Sequence, residues 1–136
     1  MNGELLIKYL FNNDNSLIKK NNMMFFLLVN FDGIIKNINN KVEKITGYKR
    51  NELIGENIIQ KLFPEKFKKE SINFLYKKIN MENEAIFLRK DNKLSYVKYS
   101  KIDIVCNDNN YILYIGVDIT KYKRNGDKIK HHIKKY

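Results

Sequence analysis

Residues 30–57 read NFDGIIKNINNKVEKITGYKRNELIGEN, and this stretch sets the frame for the rest of the chain. Asp32-Gly33 stands between two apolar segments, 23–30 and 34–38. Glycine tolerates the positive φ of a tight turn, so the pair predicts a hairpin. After the returning strand (Ile34, Ile35, Ile38), Asn39 or Asn40 is placed to cap a helix by accepting an orphan backbone N–H. Val42 and Ile45 share one face of that helix, and Gly47 stops it. Asn51-Glu52 opens a further short turn, with Leu53 and Ile54 facing inward and Gly55 ending it.

Downstream, Pro64 and Glu65 sit where a helix begins, Pro near the first helical position and the acid in the first turn. Phe67, Ser71, Phe74, Leu75, Lys78 and Ile79 then follow the 3.6-residue repeat, predicting a helix over 67–79. From Glu84 the period becomes two. Ala85, Phe87 and Arg89 alternate with Ile86 and Leu88, and Asp91-Asn92-Lys93 reads as a turn. Residues 94–105 form a long strand with Val97 and Tyr99 on one face. Its apolar parity shifts before Ile102 and Ile104, which predicts a bulge near Ser100. A turn at 107–110 leads into a last strand, where Ile112 and Tyr114 oppose Leu113, Ile115, Val117 and Ile119.

Two strands, a group of helices and three more strands predict an α+β fold, a five-stranded antiparallel sheet with helices on one face. A pocket between helices and sheet would be lined by Ile45, Ile54, Phe74, Phe87 and, by its parity with Phe87, Arg89. Arg89 reads equally as a solvated residue beside its turn. Ahead of this core, Leu5, Leu6, Tyr9 and Leu10 have the spacing of an amphipathic flanking helix, which must bury its stripe on the domain or on a second copy. The division is therefore 1–22 as flanking helix, 23–120 as the domain and 121–136 as a basic linker or tail.

Composition limits the alternatives. A chain of 136 residues, 43% hydrophobic, holds one domain with a core. No apolar run approaches the roughly 18 residues of a membrane helix, and the N-terminus lacks the pattern of a signal peptide. The single Cys106 rules out an intramolecular disulfide and any multi-cysteine metal site, and it suits the cytoplasm. The net charge of +11 invites a second reading, a small basic nucleic-acid-binding protein or transcription-regulator fragment. Yet the last sixteen residues hold seven Lys or Arg against one Asp, so over half the excess lies in the tail. No cluster of stacking aromatics and base-reading groups accompanies it.

Phe31-Asp32-Gly33-Ile34-Ile35, Asn39-Asn40, Ile45-Thr46-Gly47-Tyr48, Glu52-Leu53-Ile54-Gly55, Pro64-Glu65 and Val117-Asp118-Ile119-Thr120, in that order, resemble the signature of a PAS domain over about 23–120. The resemblance implies a cytoplasmic sensory module of a signal-transduction protein. It implies a homodimer through the N-terminal helix and sheet, and an effector such as a histidine kinase or diguanylate cyclase joined after Asp118-Ile119-Thr120. It also supplies tests of cofactor chemistry. Photosensory flavin members resemble this chain around Gly55-Glu56-Asn57-Ile58-Ile59-Gln60, but Ile58 stands where the reactive cysteine belongs, so no flavin adduct forms. Haem members take an axial His from the long helix, which here has none. His131 and His132 lie in the tail, and Met23, Met24, Met81 and Cys106 read more simply as packing or surface residues than as iron ligands. No cofactor is expected, while a small-molecule ligand stays open. Nucleophile–base pairs are missing as well, so any catalysis would belong to an effector. Asp32 and Asp118 are read as backbone acceptors rather than acids.

Overall fold

The computed structural model describes residues 8, 23–76 and 83–123. The strands are β1 (Met24–Asn30), β2 (Ile35–Ile38), β3 (Asn83–Leu88), β4 (Leu94–Cys106) and β5 (Asn109–Asp118). Between β2 and β3 come α1 (Asn40–Thr46), α2 (Arg50–Leu53), α3 (Ile58–Leu62), a 3-10 turn (Glu65–Phe67) and α4 (Lys68–Tyr76). All neighbouring strands are antiparallel, in the order β2-β1-β5-β4-β3. The α+β fold with a five-stranded antiparallel sheet is thus the observed one. Of the flanking helix only Lys8 is described, and it is helical; Leu5, Leu6, Tyr9 and Leu10 lie outside the described residues, as do Lys78, Ile79 and 124–136.

One face of the sheet carries Phe25, Leu27 and Val29 from β1, Phe87 from β3, Val97 and Tyr99 from β4, and Ile112 and Tyr114 from β5. Onto it pack Val42, Ile45, Leu53, Ile58, Leu62, Phe63, Phe74 and Leu75 from the helical segment, forming the main core. The opposite face has a smaller apolar cluster: Phe26, Leu28, Ile104 and Leu113 are buried, with Met24, Tyr111 and Ile115 packed around them.

That second cluster explains a correction. The parity shift in β4 is not a bulge, because β4 and β5 pair without interruption from Val97↔Asp118 to Cys106↔Asn109. Ser95, Val97 and Tyr99 belong to the helix-facing side at one end of the strand. Ile104 belongs to the opposite side at the other end, so the buried face changes while the backbone runs straight. The register shift of the sheet lies instead between β1 and β2, where Leu28 pairs with Asn37 but Val29 with Ile35. Lys36 is the extra residue, and it lets Ile35 and Ile38 both reach the main core despite their odd spacing.

Three local expectations also change. Asn39 stands at the start of α1 but makes no side-chain cap. Its amide pairs instead with β1, accepting from Phe26 N–H at 3.1 Å and donating to the Met24 carbonyl at 2.9 Å. A buried amide that satisfies strand backbone on both sides holds the helix start to the sheet more firmly than a cap would. The Asp32-Gly33 turn is held by the Asn30 side chain, which accepts from Asp32 N–H and Ile34 N–H, not by the Asp32 carboxylate. Asp118 does act as an acceptor, from Thr120 N–H at 2.9 Å. Ile54, read as inward, is 37% exposed, because α2 is a single turn and only Leu53 faces the core.

Candidate functional site

The space between helices and sheet is built from aromatic rings. Phe74, from the last turn of α4, lies flat on Tyr114 of β5, with centroids 4.0 Å apart and planes at 6°. Around it, edge-on, stand Tyr99 at 4.9 Å, Phe63 at 5.1 Å and Phe87 at 5.9 Å. Phe25 adds a further edge contact to Phe87 at 6.5 Å. Offset-stacked and edge-to-face pairs match the quadrupoles of the rings, so this cluster has direction as well as area.

Polar atoms at the rim are spent on helix ends. The last carbonyls of a helix lack intrahelical partners, and here sheet side chains supply them. Tyr114 Oη–H donates to the Phe74 carbonyl at 2.5 Å, and Lys101 Nζ to the Leu75 carbonyl at 3.0 Å. At α1, Ser95 Oγ–H donates to the Ile45 carbonyl at 2.7 Å, Arg89 Nη1 to the same oxygen at 3.1 Å, and Lys90 N–H to the Thr46 carbonyl at 2.9 Å. Gly47, at φ 78°, turns the chain out of α1 in a conformation other residues adopt only with strain.

Burial sets the ionisation of these groups. Tyr99 is pushed up to about 12 and Tyr114 is raised as well, both mainly because the phenolate would be desolvated. Lys101 is lowered by burial, with the Asp103 carboxylate working the other way. On the surface, Arg89 and the Lys93 N–H hold the Asp91 carboxyl below its ordinary range.

Of the five residues expected to line a pocket, Ile45, Phe74 and Phe87 come together in the main core. Ile54 is outside it. Arg89 turns to the end of α1 and to Asp91, 3.1 Å away, so its guanidinium caps a helix instead of entering the core. Ile58, in the place of the flavin cysteine, is fully buried at the start of α3. Met23 is exposed, Met24 belongs to the outer cluster and Cys106 ends β4; Met81, His131 and His132 are outside the described residues. Among the described residues no three His, Cys, Asp or Glu side chains gather as metal ligands would, and no helix is long and apolar enough to cross a membrane.

Sequence reading did not single out Phe63, Lys101 or Ser95. Phe63 lies just before Pro64, where no periodicity marks it. Ser95 and Lys101 share the odd-numbered face of β4 with Val97 and Tyr99, a signal that the bulge expected near Ser100 concealed for Lys101. An open, polar concavity lies between the β1–β2 and β4–β5 turns and is lined by Asn30, Phe31, Asp32, Lys36, Asp108 and Tyr111 among others.

Known proteins agree with this architecture. The PAS domain family profile matches residues 21–121. The PAS domain of an HTR-like protein from Haloarcula marismortui superposes with a TM-score of 0.58 at 18% identity, over 85% of this chain and 91% of that one. A PAS domain from Desulfitobacterium hafniense gives 0.61 at 17% identity, over 75% and 97%. The PAS domain of the quorum-sensing receptor RpfR from Cronobacter turicensis, in complex with C12:0, gives 0.56 at 18% identity, over 71% and 94%. Among curated proteins nothing matches. With the signature in order, the sheet in PAS order and the profile over most of its length, the chain belongs to the PAS domain family, the non-catalytic sensory and interaction modules of signalling proteins.

Proposed function

We propose that this domain works in the cytoplasm as a homodimeric sensor, passing the state of its core to an effector such as a histidine kinase or diguanylate cyclase. The observation that supports this reading is the second apolar face. A sheet covered by one helical layer needs one apolar face, with polar residues on the other. Here the far side carries Met24, Phe26, Leu28, Ile104, Leu113 and Ile115 at its centre, and Ile102 beside them is 44% exposed. Phe26, Leu28, Ile104 and Leu113 are buried within the single chain, so the part of this face left for a partner is around the exposed Ile102. The amphipathic stripe of Leu5, Leu6, Tyr9 and Leu10 has the right character, and the same face of a second copy extends it.

The exit of the core is positioned to transmit a change. Ile119 N–H donates to the Tyr96 carbonyl at 2.8 Å, and Thr120 Oγ1 accepts from Tyr96 N–H at 2.9 Å. The start of the 121–136 linker is thereby fixed to β4, whose other residues line the core.

Sedimentation of the full chain with Ile102→Glu tests the dimer. The expected result is a dimer for the parent and at least tenfold weaker association for the variant, with an unchanged melting temperature. A parent that stays monomeric at high micromolar concentration overturns the dimer.

A further inference from the structure

Antiparallel pairing of β1 with β5 ends at Asn30↔Tyr111, and this last pair sets two hairpin corners side by side. One is the β1–β2 turn, pinned by the Asn30 side chain, which accepts from Asp32 N–H at 3.0 Å and Ile34 N–H at 2.9 Å. The other is the two-residue β4–β5 turn, where Asn107 and Asp108 take φ of 50° and 65°, the positive pair that a tight hairpin turn requires. Between the corners lies the polar concavity, of about 410 Å³, a volume in the range of small-molecule sites. Its charged lining is Asp32, Asp108 and Lys36, and Phe31, 46% exposed, offers a ring beside the half-buried Tyr111. Ion pairs form elsewhere on the surface, Lys68 with Glu65, Arg89 with Asp91, Lys90 with Glu52 and Lys123 with Glu84. Among the described residues no ion pair engages Asp32, Asp108 or Lys36, although all three line one concavity. On a chain of net charge +11 this corner carries one carboxylate more than it has ammonium groups.

We propose that this concavity binds a small basic amino acid, of the lysine or arginine kind. Such a molecule carries two cationic groups and one carboxylate, the complement of the charges that line the site. Asp32 and Asp108 take its cations, Lys36 takes its carboxylate, and its methylene stem lies on the Phe31 ring. A single exposed ion pair is weak because solvent screens it, so a ligand that makes one such contact gains little. Three charges held on two pinned corners act together, and a ligand that matches all of them is favoured over one that matches fewer. Because Asp32 and Asp108 belong to different hairpins, the bound amino acid bridges them. The site lies outside the helix–sheet core and stands apart from the dimer.

The test titrates lysine and arginine into the full chain while amide shifts are followed by NMR. The expected result is saturable movement of the amides of 30–36 and 108–111 at millimolar concentration or below. Norleucine, which lacks the side-chain cation, and cadaverine, which lacks the carboxylate, should bind at least tenfold more weakly, and glutamate should not bind. No movement with either basic amino acid, or movement spread over the whole surface, overturns the site. Asp108→Asn removes the charge but keeps a residue that accepts the positive φ, and it should weaken lysine binding at least tenfold at an unchanged melting temperature. Asp32→Asn should do the same, and if one turn variant does not fold, the other decides. Lysine binding that neither variant weakens overturns the assignment of the cations. Lys36→Met should abolish the preference for lysine over cadaverine; a preference that survives overturns the carboxylate assignment. Cadaverine binding the wild-type chain as tightly as lysine shows a site for amines at large and overturns the amino acid.

Discussion

The two faces of this sheet are both apolar and differ in how they are finished. Along β1, Phe25, Leu27 and Val29 point to the helices while Met24, Phe26 and Leu28 point away, so the strand has no polar side. The helix-facing side is completed by rings in fixed mutual orientation, and its phenol and ammonium bond to helix-end carbonyls. The outer side is a patch of mainly aliphatic side chains with Ile102 left exposed beside it. Directional contacts specify one arrangement, whereas an aliphatic patch accepts whichever apolar surface fits. The inner face therefore fixes how the helices sit on the sheet, and the outer face constrains its packing less tightly.

Truncation should separate the faces most clearly. Phe87→Ala, which removes contacts to Phe25, Phe63 and Phe74, should cost about 4 kcal/mol in urea unfolding. Adding bulk to the same face should cost nearly as much. A Cβ on Gly116 would come within 2.1 Å of the Lys98 carbonyl and 2.6 Å of the Phe25 ring. Because the nearest atom is strand backbone, Gly116→Ala should cost about 3 kcal/mol. On the outer face, Ile104→Ala should cost about 2 kcal/mol, the low end for a buried aliphatic. A cost equal to that of Phe87→Ala would mean that the outer cluster is as much a core as the inner one, and the distinction fails.

How much of this could be read beforehand follows the same division. The succession of strands and helices, the Asp32-Gly33 turn, the Gly47 stop and the inward set of Ile45, Phe74 and Phe87 all follow from local periodicity and turn chemistry. What failed depended on non-local pairing. In β4 a change of buried face looks like a bulge when only one face is assumed to be apolar. Asn39 has the sequence position of a cap, but a strand brought alongside from Met24–Asn30 offered its amide two buried backbone partners. Arg89, whose parity and nearby turn leave an inward and a solvated position equally open, takes neither outright, because the open end of α1 lies within reach of its guanidinium. The bonds of Lys101 and Tyr114 to helix-end carbonyls emerge only when α4 is laid across β4 and β5.

The smallest expected effect at neutral pH is the most specific to the inner face. Tyr114→Phe keeps the ring but leaves the Phe74 carbonyl without its phenol donor, which should cost about 1–2 kcal/mol. Tyr99→Phe should cost less than about 1 kcal/mol at pH 7. The two differ from outer-face changes in their pH dependence. A tyrosine whose folded pKa is raised holds its proton more tightly in the fold than in the unfolded chain, where it titrates near ~10. The stability linked to it is complete below that pH and is lost as pH rises toward the folded value, about 12 for Tyr99. Urea midpoints should accordingly be flat from about pH 7 to 9 and fall steeply above about pH 10. Tyr99→Phe should flatten that fall, and Tyr114→Phe should do the same from a lower starting stability. Ile104→Ala should lower the whole curve without changing its shape. An alkaline slope untouched by either tyrosine substitution would show that both phenols reach water before the chain unfolds, and the inner face would then be no more closed than the outer one.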